Sequence, residues 1–144
     1  MKLEIPMPRT ITLASARAAH PLAPAVLRQL GGGREAVDTC IDAANHGADA
    51  GWPGFTTYSE TIRFALRNRT EIRKALADYC VDGGGIAAMV AEFPCLRNCE
   101  TTIDEVSEAL YGDPSNMSAG SDLVLNALAW FALETVGHAI EGGR

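Results

Sequence analysis

Apolar residues along this chain recur at three- and four-residue intervals in one segment after another, and the segments are separated by glycine and proline clusters. That period is helical, and no sustained alternation of apolar and polar positions appears. Val37, Cys40, Ile41 and Ala44 fall at i, i+3, i+4 and i+7, which predicts a helix from about Arg34 to Asn45 with one apolar stripe, ended by His46-Gly47. Ile62, Ala65 and Leu66 keep the same spacing. After a break near Asn68 to Thr70 it resumes with Ile72, Ala75, Leu76 and Tyr79, so two helices or one kinked helix are expected, with Thr70 as N-cap of the second. The clearest element runs from Ser121 to about Ile140. Leu123, Val124, Leu125 and the run from Ala127 to Leu133 make it apolar nearly all round, as expected of a central helix packed on several sides.

The breakers sharpen these limits. Pro21 and Pro24 suit the first turn of a helix running to Leu30, and Gly31-Gly32-Gly33 ends it. Gly83-Gly84-Gly85 closes the second unit, and Ile86 to Phe93 reads as a short apolar helix stopped by Pro94. Thr102 and Glu105 have the spacing of a capping box, in which each side chain satisfies an orphan backbone donor, so a helix is expected from Ile103 to about Tyr111. Asp113-Pro114-Ser115-Asn116 is a turn. Lys2 to Ile5 alternates, but Pro6 and Pro8 confine it to an arm or an edge strand. The fold expected is mainly α: an N-terminal arm over residues 1–20, then a single compact domain over 21–144, with six or seven helices around a buried C-terminal helix.

Composition places this bundle. At 144 residues, with 47% hydrophobic and 21% charged residues, the chain fits one globular domain. The first residues carry Lys2, Glu4 and Arg9 among prolines, unlike a secretory signal, and no apolar stretch free of charge is long enough to span a bilayer. A cytoplasmic protein without membrane contact is expected, its four cysteines kept as thiols. The net charge of -6 is unevenly spread: residues 1–74 carry net +3 and residues 75–144 net -9. A face that attracts acidic partners can therefore coexist with one that repels them.

Candidate chemistry concentrates between residues 46 and 74. His46, Asp49, Tyr58 and Glu60 put a histidine, two carboxylates and a phenol into one glycine-rich segment, a set able to share acid and base roles. The plainer explanation is local: His46 at a helix C-terminus, Asp49 on loop amides, and Glu60 in a first turn, where the helix dipole favours it. Trp52, Phe55 and Tyr58 supply large amphipathic area beside Gly47, Gly51 and Gly54, either as contact anchors or as pins that bury the loop. Arg63, Arg67, Arg69, Arg73 and Lys74 form two i, i+4 ladders that can meet phosphates or line a solvated face paired with Glu60 and Glu71. Cys95 and Cys99, with Cys80, His46 or His138, lack the second CxxC or HxxxH of a zinc site, so no metal or cofactor is expected. Three histidines, His20 included, and four thiols also allow a cysteine nucleophile with its base, against the commoner structural role of buried thiols.

The run HGADAGWPGFTTYSETIRF from His46 to Phe64, with NALAWFALETV from Asn126 to Val136, resembles a family of small uncharacterised proteins carried by phages, plasmids and integrative elements of bacteria. The resemblance covers about Cys40 to Ile140 and transfers no activity and no catalytic residue. It implies a setting, a mobile-element accessory gene in a proteobacterial host, where small acidic proteins often occupy surfaces of host defence machinery; anti-CRISPR proteins are the best-known group of that kind, by analogy. The expected function is therefore binding to a host protein or nucleoprotein complex through Trp52, Phe55, Tyr58, Arg63 and Arg67, with a homodimer left open. Two alternatives stand beside it: a nucleic-acid-binding regulator using the basic helix from Arg63 to Lys74, and a small enzyme using His46, Asp49 and Glu60.

Overall fold

The computed structural model describes residues 11–46, 58–78, 85–93, 96, 101–112 and 121–142. Within them lie eight helices and no strand: α1 (Leu13–Ala18), α2 (Ala23–Gln29), α3 (Arg34–His46), α4 (Tyr58–Arg67), α5 (Arg69–Ala77), α6 (Gly85–Glu92), α7 (Ile103–Tyr111) and α8 (Ser121–Gly142). The expected Lys2–Ile5 strand and the Asp113–Asn116 turn fall outside the described residues, as do Gly83, Gly84 and Pro94.

α8 is the axis of the bundle. Every residue from Ala127 to Leu133 is buried, which covers nearly two full turns on all sides. Leu123–Gly142 is long and apolar enough, by length and composition, to cross a membrane, yet 67% of that window is buried inside the protein, as a core helix would be. α3 packs on it most extensively, followed by α4, with α7, α2 and α5 completing the ring. The α3 contact is close because residue 137 of α8 is glycine: a Cβ there would collide with the Cys40 carbonyl and lie 2.8 Å from the Ala44 methyl. Val37, Cys40, Ala36 and Ala43 form the matching buried stripe of α3.

Caps set the lengths of the outer helices. Thr102 Oγ1 accepts from the Glu105 N–H at 3.2 Å while Glu105 Oε1 accepts from the Thr102 N–H at 3.3 Å, which is the capping box read from the sequence. α2 ends in a Schellman turn: the Gly31 N–H reaches the Arg28 carbonyl and the Gly32 N–H reaches that of Leu27, with φ of 105° and 77° at the two glycines. Such positive φ values suit glycine best.

Two local details differ from the sequence reading. The segment read as an arm contains α1, whose N-terminus is closed by a Thr12–Ser15 capping box and whose Ala16 is buried in the core, and α1 is one of the eight helices named among the described residues. Short helices of this kind carry too few apolar positions to show a period. The N-cap of α5 is Asn68, and Thr70 lies inside the helix, where its hydroxyl accepts from Arg73. Asn68 donates both its backbone N–H and its side-chain amide to the Phe64 carbonyl, so the chain turns there within a single residue.

Candidate functional site

Helices α2 and α4 are held together by one glutamine. Gln29 Nε2 donates to Glu60 Oε2 at 3.4 Å, and Gln29 Oε1 accepts from Arg67 Nη2 at 3.1 Å, so the two ends of α4 are tied to the last turn of α2. Beside this bridge lies a cleft of about 550 Å3 lined by Ala25, Arg28, Gln29, Phe64, Arg67 and Asn68. Its lining is mainly polar, and two of its residues, Arg28 and Arg67, carry exposed guanidinium groups from different helices. Both arginines belong to the last turns of their helices, where a cation complements the helix dipole. Arg63, one turn before Arg67 on α4, is exposed and has no polar partner among the described residues.

The remaining basic residues are used internally. Arg69 Nη1 donates to the carbonyls of Ala109 at 3.1 Å and Gly112 at 2.8 Å, and Arg73 Nη1 donates to that of Leu110 at 3.2 Å. These are carbonyls at the C-terminal end of α7, which two guanidinium groups from α5 therefore cap. Arg73 also lies over the Tyr111 ring, 4.8 Å from its centroid, and Lys74 pairs with Glu71 at 3.2 Å. The ladder seen in the sequence thus splits at Asn68: Arg63 and Arg67 face outward, whereas Arg69 and Arg73 hold α5 to α7.

Glu60 sits in the first turn of α4 and carries the Gln29 contact, so it serves the α2–α4 junction. His46 closes α3 and Tyr58 opens α4; their side chains, together with Asp49, Trp52 and Phe55, lie outside the described residues. Cys40 is fully buried between α3 and α8, and burial pushes its thiol up to about 12, which keeps it protonated and inert as a nucleophile. Cys80, Cys95 and Cys99 lie outside the described residues. Among those described, no group of three His, Cys, Asp or Glu side chains is placed to hold a metal.

A second cleft, about 260 Å3, was not legible from the sequence. It is lined by His20, Ala75, Asp78, Phe131, Glu134, Thr135 and His138, drawn from the turn before α2, the end of α5 and the middle of α8. The one local signal was Glu134 and His138 at i, i+4 on α8. His20 Nδ1 accepts the Leu22 N–H at 3.0 Å, which sets the proton of the neutral ring on Nε2. Burial lowers its pKa below the ordinary 6.5, with Glu71 and Asp78 pulling weakly upward.

Because the unfolded chain binds the His20 proton more readily, stability should rise with pH through the window between the folded value and 6.5, and fall as pH drops through that window before levelling off below the folded value. Urea unfolding across that range should show this dependence in the native chain and a flatter profile in His20→Asn, whose amide oxygen can replace Nδ1. Parallel profiles would assign the dependence to other groups.

No family model, curated protein or solved structure matches the chain.

Proposed function

We propose that this protein acts by binding a macromolecular partner, with the two-arginine cleft between α2 and α4 at the centre of the contact surface. The observation that carries it is the convergence of exposed Arg28 and Arg67 on one cleft, with Arg63 extending the basic strip along α4. None of the described lining residues is a carboxylate, histidine or thiol, so the cleft is chemically equipped to hold acidic groups and not to move protons. An acidic protein surface is the fitting partner. Trp52, Phe55 and Tyr58, which lead into α4 along the chain, are proposed as aromatic anchors of the same surface. In the mobile-element setting that the resemblance implies, the partner is a host protein or nucleoprotein complex in the cytoplasm, with a CRISPR-Cas effector as the candidate by analogy.

Nucleic acid is the competing partner, but Arg69 and Arg73 already cap α7 and leave a short basic strip. Gel-shift measurements at low and moderate salt separate the two. Protein recognition predicts no shift of duplex or single strands at low salt. A shift that weakens steeply as salt rises would instead assign the strip to phosphates.

A further inference from the structure

The 260 Å3 cleft around His20 is separate from the arginine cleft and carries the opposite charge. Asp78 and Glu134 bring two carboxylates to it, and α5 ends at Ala77 in the same wall, so the negative end of that helix adds to their field. No lysine or arginine lines it among the described residues; Lys74, next to Ala75 in the chain, is engaged by Glu71. Ala75 and Phe131 supply an apolar wall, and Thr135 a hydroxyl. His20 contributes a donor, because its Nδ1 is taken by the Leu22 N–H and its Nε2–H is left for a ligand.

We propose that this cleft binds a small organic ammonium ion that carries a hydrogen-bond acceptor next to its charge, such as an amino alcohol. The ammonium pairs with Asp78, which is exposed at the C-cap of α5, while Glu134 adds charge from α8. The acceptor takes the His20 Nε2–H, and the hydrocarbon portion rests on Ala75 and Phe131. The cleft, about 260 Å3, is smaller than the roughly 300–1,000 Å3 typical of pockets for drug-sized ligands, so it has room for a small one.

Titration with ethanolamine at mildly alkaline pH, followed through the imidazole nitrogen resonances of His20, tests this directly. The expected result is a saturable shift at Nε2, an affinity about tenfold lower in Asp78→Asn, as for one lost charge-assisted contact, and no saturable response to ethylene glycol. A non-saturating response overturns the assignment, as does equal binding of ethylene glycol or unchanged affinity in Asp78→Asn. Should Asp78→Asn disturb the end of α5, Glu134→Gln provides the independent reading: weakened binding supports the site, and unchanged affinity overturns it. Arg28→Ala and Arg67→Ala leave this titration unaltered, so failure here and failure at the arginine cleft are distinguishable.

Discussion

Phe131→Ala is expected to cost about 3–5 kcal/mol, a large part of the roughly 5–15 kcal/mol that stabilises a typical domain. Phe131 is 1% exposed and stands inside the fully buried run of α8, where the packed neighbours relax only in part into the space left by the ring. Trp130→Ala should cost a comparable amount, since that ring is 4% exposed. Urea denaturation gives the comparison: both variants should shift the midpoint strongly, whereas Arg63→Ala, on an exposed position, should stay within about 0.5 kcal/mol of the native chain. A loss below about 1 kcal/mol for Phe131→Ala would mean that α8 is not the packed centre of the domain.

Gly137→Ala is the second large effect, and two physical terms oppose each other in it. Helix propensity alone favours alanine over glycine by about 1 kcal/mol in a helix interior. Packing opposes it. The new methyl would lie 2.7 Å from the Cys40 carbonyl carbon and 2.8 Å from the Ala44 Cβ, and the carbonyl belongs to the backbone of α3, which cannot rotate aside. Separating two helices along their main contact costs about 1–3 kcal/mol or more, so packing wins and the variant should melt several degrees lower. Gly137→Val should be worse still. A raised melting temperature for Gly137→Ala would show that α3 and α8 cross with more room than described.

The helices legible in the sequence were those with their own local signal. α3 and α8 announced themselves by apolar spacing, α7 by the Thr102–Glu105 capping box, and the end of α2 by Gly31 and Gly32. Those missed or displaced lacked one. α1 is only six residues long with one buried alanine, and the α4–α5 boundary is set by Asn68 bonding back to Phe64, where the side-chain pattern suggested Thr70.

Sites were harder because they are assembled by tertiary contacts. Arg67 was visible as part of a basic strip, but Arg28, its partner across the cleft, is 39 positions earlier and gave no sign of belonging with it. Arg69 and Arg73 looked equivalent to Arg63 and Arg67 until α7 placed its C-terminal carbonyls against them. The His20 cleft draws on three separated segments, and no single one carries its chemistry.

Nuclease-treated capture from a bacterial host lysate asks whether the cleft between Arg28 and Arg67 is the protein-binding surface proposed above. The native chain and an Arg28→Glu/Arg67→Glu variant of unchanged melting temperature would be used side by side as bait. A host protein retained by the native chain after nuclease treatment and lost from the charge-reversed variant is the predicted result. Equal retention by both, or retention that disappears with nuclease, would contradict it.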